Sequence, residues 1–205
     1  MLAASIHLSR GTPYIYMGEE IGMVDPDYDS MEDYVDVESL NAYQALLAEG
    51  QSPEAVFRII KAKSRDNSRT PMQWDDSVNA GFTTGTPWLK ASKSYPLINV
   101  ENEIKGPIFT FYQKLIALRK ELPIIAEGSY QPAYEDSPQV YAFEREWQGQ
   151  KLLVLNNFYA DPITVDILTD YQNGQVLLSN YGKTQIDHVM TLQPYETLAI
   201  LAGEN

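Results

Sequence analysis

The 205-residue chain contains no cysteine. Disulfides, thiolate metal sites and a cysteine nucleophile are therefore excluded. Histidine is scarce too: His7 and His188 lie too far apart in the sequence to signal a site. Positive charge is in short supply, with 15 Lys and Arg against 28 Asp and Glu and a net charge of −13. Nucleic acid and anionic membranes both need a basic footprint, so neither partner is expected. The acids are spread along the chain rather than gathered in a tail, which suits solubility. No apolar run approaches the length of a membrane span. The N-terminal "MLAASIHLSRG" lacks the basic flank and apolar stretch of a signal peptide, so a cytoplasmic location is expected.

What is present is globular material. Apolar residues make up 44% of the chain, enough for a sizeable core in one large domain or two modest ones. "MLAASIHLSR" reads as the end of an amphipathic helix, with Leu2, Ile6 and Leu8 apolar and Gly11 as its stop. "TPYIYMG" reads as a short strand bounded by Pro13 and Gly18, and a helix followed by a strand suits an α/β layer. "VESLNAYQALLAEG" predicts a helix ending at Gly50. "SPEAVFRIIKAK" predicts another, with Ser52 as cap and Pro53 at its first position. "PIFTFYQKLIALRKEL" sets Ile108, Phe111, Leu115 and Leu118 on one face. After Pro123 the character changes. "QVYAFEREW", "KLLVLNNF", "PITVDI", "QVLLSNY" and "YETLAILA" are short runs without helical period, and "WQGQK" signals a hairpin. The expected fold class is α/β plus all-β, with an α/β portion over 1–123 and an antiparallel β-sandwich over 124–205.

Between the helices lies a long irregular region, residues 63–106, rich in glycine, proline and aromatics. Such regions are usually functional or disordered, and the aromatics argue against disorder. It opens with "KSRDNSRTPMQWDD" (63–76), which has neither the period of a helix nor the alternation of a strand. Arg65 and Arg69 flank Asp66 and Asn67 there, ahead of Trp74. Asp25, Asp27 and Asp29 in "DPDYDSMEDYVD" sit at the first ligand positions of a calcium loop. However, Ser30 replaces the required glycine, Asp36 the closing glutamate, and Pro26 is awkward. A solvated acidic loop is the preferred reading; no metal and no cofactor are expected.

Six ordered blocks carry a resemblance: "GTPYIYMGEEIGM" (11–23), "DVESLNAY" (36–43), "SRDNSRTPMQW" (64–74), "NAGFTTGTPW" (79–88), "INVE" (98–101) and "FYQKLIALRKE" (111–121). Together they resemble α-amylase-type glycoside hydrolases, in the branch holding oligo-1,6-glucosidase, dextran glucosidase and trehalose-6-phosphate hydrolase. The wording of "YMGEEIGM", "SRDNSRTPMQW" and "EREWQGQKLLVLNNF" is most similar to the phosphotrehalase group. The resemblance implies the end of a (β/α)8 barrel followed by the C-terminal β domain, with "PYIYMGEE" as the eighth strand and Met1 matching an internal methionine. The chain is then expected to be a fragment. The family's nucleophile and acid/base lie on earlier strands, so no catalytic residue is expected here. A partial barrel would also leave apolar faces uncovered, which predicts self-association.

The resemblance also assigns roles by position. Strand ends and βα loops face the substrate in a β/α barrel. Arg65 is implied to bind the non-reducing-end glucose, a use suited to its planar fork of donors; the alternative is that it pairs with Asp66, Asp75 or Asp76 to pin the loop. Asp66 is implied as a neighbouring contact. Glu38 is implied to reach the sugar beyond the cleaved bond, as in 1,6-specific relatives, or else to serve as an acid at a helix N-terminus. Arg69 is assigned to loop structure. Glu19 and Glu20 are not the catalytic pair, and as neighbours in a strand they would point to opposite faces. Trp74 and Trp88 are read either as sugar-stacking rings or as loop packing. With no obvious exposed aromatic row, the β portion is read as stabilising rather than carbohydrate-binding.

Overall fold

The computed structural model describes residues 1–203. They divide into two units: Met1–Tyr14 together with the chain from Phe111 on, and Ile15–Thr110.

The first unit is built on a five-stranded antiparallel sheet of order β1-β2-β3-β7-β5. Its strands are β1 (Gln131–Ala133), β2 (Val140–Trp147), β3 (Gln150–Asn157), β5 (Gln175–Ser179) and β7 (Thr197–Ala202). A separate pair joins β4 (Ile163–Asp166) to β6 (Val189–Leu192). The β2–β3 hairpin turns at Gln148 and Gly149, both with positive φ, between the paired Trp147 and Gln150. That is the two-residue turn whose twist matches its strands, and the "WQGQK" signal is realised.

Side chains alternate across a strand, so each apolar run of the sheet has two destinations. Leu153 and Leu155 of β3 join Leu198 and Ile200 of β7 in a core with Val165 of β4 and Met190 and Leu192 of β6. Leu152 and Val154 face the other way. They pack with Phe143 and Ala199 against helices: Ala4 of α1 (Leu2–His7), Leu115 and Leu118 of α5 (Pro107–Glu121), and Ile124 and Ile125 of α6 (Pro123–Glu127). This is why "LLVL" and "LAIL" are unbroken apolar runs: both faces are covered.

Three sequence expectations need correction in this unit. Leu2 and Ile6 are exposed; the buried side of α1 is Ala4, His7 and Leu8, because the helix turns its alanine to the sheet. A short helix, α6, does follow Pro123, where proline at the first position needs no amide donor. The segment "TPYIYMG" forms no strand: residues 12–16 have no regular structure, and all strands among the described residues lie within 131–202.

Buried polar groups in this unit serve chain ends and turns. Arg119 donates to the carbonyls of His7 and Ser9 (2.8 Å each) and to that of Gly11, closing the C-terminal end of α1. Arg145, fully buried, donates to the carbonyls of Gly128 and Ser129 (2.7 and 2.6 Å) after α6. Removal from water pushes its guanidinium down from the usual value. Exposed aromatics are more numerous here than the sequence suggested. Tyr130, Tyr141 and Phe158 are partly exposed, with Tyr141 and Phe158 edge-on at 5.8 Å, and Tyr159, Tyr181 and Tyr195 are about half exposed. The turns that separate them in sequence hid them.

The second unit has one regular pair, α2 (Val37–Ala48) and α3 (Pro53–Lys63). Ser52 accepts the amide of Ala55 at 3.2 Å, with Pro53 beside it, as the capping pattern required. Val56 and Ile60 of α3 form a small core with Tyr28 and Tyr34, whose rings meet edge-on at 5.3 Å. Burial pushes both phenols up to about 12. The rest of the unit, apart from the one-turn helix α4 (Val100–Glu103), short helical turns and the start of α5, is irregular chain pinned by hydrogen bonds. Gln73 and Trp74 offer their carbonyls to the amides of Val100 and Glu101 (2.9 and 3.1 Å). Residues Asn79, Ala80 and Gly81 all have positive φ, and the Ala80 carbonyl accepts the Trp74 amide at 2.8 Å.

Candidate functional site

The sequence candidates meet where α2 begins and α3 ends. Asp36 caps α2, its Oδ2 accepting both the amide and the hydroxyl of Ser39 at 3.1 Å. Ser64, just past α3, accepts the amide of Asp66 at 3.2 Å and so caps the helical turn Arg65–Ser68. The two caps are joined, because the Ser39 and Ser64 hydroxyls are hydrogen-bonded to each other at 2.8 Å. Ser39 and Ser64 are both buried.

Asp66 is fully buried inside this junction. Its Oδ2 accepts the amides of Val35 (2.8 Å) and Asp36 (2.9 Å). Arg69 Nη1 lies 3.1 Å from Asp36 Oδ1 and 3.5 Å from Asp66 Oδ1, shared between the two acids. Burial works against the charge on Asp36, but the bonds from Ser39 and Arg69 outweigh it and hold its carboxyl below the usual aspartate value.

Two side chains stand outside this frame. Arg65 and Glu38 form an ion pair, with side-chain exposures of 63% and 69%. Neither is consumed by the fold's interior, and both remain open to a ligand. Beside the same motif lies a cleft of about 180 Å³ lined by Tyr16, Met17, Glu19, Met23, Asn67 and Ser68. The Tyr16 hydroxyl donates to the Ser68 carbonyl at 2.5 Å. Glu19 and Glu20 occupy a helical turn, Glu19–Ile21, between Gly18 and Gly22 in left-handed conformation, and not the strand expected for them. Glu20 accepts the amide of Gly18 at 2.8 Å, a local turn bond. Trp74 and Trp88 are exposed by 50% and 69%. In the acidic loop, Asp27 pairs with Lys61, and Asp29 with Lys93 at 2.5 Å. Among the described residues there is no cluster of three acidic or histidine ligands.

Residues 1–128 match the model of the alpha amylase catalytic domain. The chain belongs to the α-amylase family. Residues 140–198 match a second family model, the alpha-amylase SusG C-terminal domain. The trehalose-6-phosphate hydrolase of Bacillus subtilis is 44% identical over 204 residues, covering 97% of this chain and 36% of the relative. The oligo-1,6-glucosidase of Halalkalibacterium halodurans is also 44% identical, covering all of this chain and 37% of the relative. The crystal structure of the Bacillus licheniformis trehalose-6-phosphate hydrolase superposes with a TM-score of 0.92 at 43% identity, covering 99% of this chain and 38% of that one. The chain thus spans little more than a third of the length of these α-amylase-family relatives. It comprises helices from the end of the family's barrel and its antiparallel C-terminal domain. No helix among the described residues is long and apolar enough to cross a membrane.

Sequence reasoning missed Asp36, Ser39 and Ser64 as members of the junction. Their signal was present: "DVES" and "KSRD" each place a capping residue immediately before a helical turn.

Proposed function

We propose that this chain is the C-terminal part of a retaining α-glucosidase that hydrolyses trehalose 6-phosphate to glucose and glucose 6-phosphate. The observation that carries this is the exposed Arg65–Glu38 pair on a buried polar frame, in a chain 44% identical to a relative of that name. Arg65 is assigned to the non-reducing-end glucose and Glu38 to the sugar beyond the cleaved bond. Asp66 supports the same site. The nucleophile and the acid/base are assigned to barrel strands preceding this segment. Retaining hydrolysis needs two carboxyls about 5–5.5 Å apart across the bond, and Glu20 here is tied back to Gly18. The chain alone is therefore expected to be inactive. Its division into 1–123 from the barrel and 124–205 as the C-terminal domain is part of the same proposal.

The second reading, an oligo-1,6-glucosidase, is favoured by a relative of that name at the same 44% identity. A non-catalytic carbohydrate-binding role has the exposed tyrosines of the β unit in its favour. The test is to express this segment with the coding sequence that precedes it in the source genome. Purified protein is expected to release glucose from trehalose 6-phosphate faster than from isomaltose, and the 205-residue chain to release none. A preference for isomaltose would move the assignment to the second reading. Binding of oligosaccharide without turnover would favour the third.

A further inference from the structure

We infer that Asp66 is a positioning residue: a buried clasp that sets Arg65 against Glu38 without itself meeting the sugar. Its consequence for turnover rests on the assignment of that pair to the substrate. The geometry itself stands apart from it.

Arg65 and Glu38 belong to different segments. Arg65 opens the turn after α3, and Glu38 lies in the first turn of α2. Nothing in the chain's local sequence brings them together, since the 26 intervening residues hold the rest of α2 and all of α3. The join is made one residue beyond Arg65 and two before Glu38. There Asp66 takes the Val35 and Asp36 amides on a single carboxylate oxygen. These amides precede α2, so the carboxylate fixes where that helix starts. A second strap runs in parallel, from Ser39 to Ser64 to the Asp66 amide. A third is Arg69, which meets Asp66 and Asp36 with one nitrogen.

Solvent does not reach Asp66, whose residue exposure is 0%. A hydroxyl-rich ligand cannot bond a carboxylate it cannot touch. Both oxygens already have partners inside the protein. The residue next to it in sequence is the reverse: an exposed cation whose partner is an exposed acid. Burial at 66 and exposure at 65 divide the labour, with one residue holding the frame and the other presented outward.

The test has two arms. In the 205-residue chain, the Arg65 guanidinium resonance is followed by NMR with and without Glu38→Gln. In the wild type the resonance is expected to move on that change. In Asp66→Asn, whose amide nitrogen would oppose Arg69, the response is expected to disappear while the resonances of the β unit stay in place. An unchanged response in Asp66→Asn overturns the inference. If that variant does not fold, Ser39→Ala removes the parallel strap, with the hydroxyl's bond to Asp36, and leaves the Asp66 carboxylate in place. It is expected to weaken the response, and a full response there overturns the inference as well. The second arm uses the longer enzyme. Asp66→Asn is expected to raise KM by about tenfold with kcat within about twofold, and to add nothing in an Arg65→Ala background. Additive losses in that background would mean that Asp66 acts on the sugar by itself. Failure of the first arm leaves the functional assignment intact, and failure to find turnover leaves the first arm intact.

Discussion

The two units are held by different physics. In the β unit, residues 152–157 of one strand are all buried, with apolar side chains at 152–155 sent to opposite faces of one sheet. In the unit over 15–110, the one buried apolar cluster is centred on Tyr28, Tyr34, Val56 and Ile60, and the remaining chain is fixed by carboxylates, capping serines and backbone bonds. Apolar burial is tolerant of sequence detail so long as volume is kept. A buried hydrogen-bonded junction is not, because each lost partner orphans another group. The first arrangement makes a support, and the second makes a shaped loop surface.

The largest effect expected from this contrast is in the sheet. Leu155→Ala should cost about 2–5 kcal/mol, the range for emptying a tight core position. It should be read from denaturant unfolding followed at Trp147. Leu115→Ala should lower the same transition comparably although it lies outside 124–205, because Leu115 is part of the cover on the second face of the sheet. A piece cut at residue 124 would lack α1 and α5 and expose Phe143, Leu152 and Val154; it should bind an apolar dye where the full chain does not. An unaffected transition in Leu115→Ala would show that the sheet stands without its helices.

Next comes the junction. Asp66→Ala orphans the Val35 and Asp36 amides and removes one partner of Arg69. At about 1–3 kcal/mol for each buried group left unpaired, it should open the loop unit. Amide exchange should rise at Val35, Asp36 and Ser39 and stay unchanged in β3 and β7. A uniform rise in both units would erase the distinction drawn between them.

The sheet was more legible in the sequence than the junction. Four of its strands, and β4 beside it, announce themselves through strand-forming residues between turns, and the Gln148–Gly149 hairpin through its glycine. The short strands β1 and β6 went unseen. "TPYIYMG" looks like a strand by composition, but composition does not supply a neighbour to pair with. At the site, Arg65 and Glu38 could be named from the family blocks, while their mutual contact could not, since it depends on how two helices close. Asp36 was weighed as a calcium position and serves instead as a helix cap. The left-handed run Asn79–Ala80–Gly81 was invisible because alanine rarely takes that conformation.

Acid should separate the units more gently. The carboxyls of Asp27, Asp33 and Asp75 are pulled below their ordinary value of 3.8 by Lys61, Lys90 and Ser77 respectively. Asp36 is lowered by its bonds with Ser39 and Arg69 against the cost of burial. All four lie in the loop unit. A depressed folded-state value means that the stabilisation is complete above 3.8 and is lost as pH falls through the folded value. The runs 152–155 and 198–200 of the sheet are apolar instead. Thermal unfolding followed between about pH 5 and pH 2 should therefore show the loop unit failing first, with amide protection in β3 and β7 outlasting that in α2 and α3. Simultaneous loss would mean that the two units unfold as one.

The smallest stability effect is expected at Glu38, and there the comparison becomes one between folding and binding. The Arg65–Glu38 pair is largely exposed, and exposed pairs contribute about 0–1 kcal/mol. Glu38→Gln removes the charge and keeps the shape. Its position in the first turn of α2 adds a second, equally modest source of stability, through the positive end of the helix. If the pair is presented to substrate, the longer enzyme carrying Glu38→Gln should keep its melting temperature. Its ratio of activities on trehalose 6-phosphate and isomaltose should change by about fivefold, roughly 1 kcal/mol of discrimination. The reverse result, an unchanged ratio with a lowered melting temperature, would make Glu38 a helix-terminus acid and leave Arg65 to face the sugar alone.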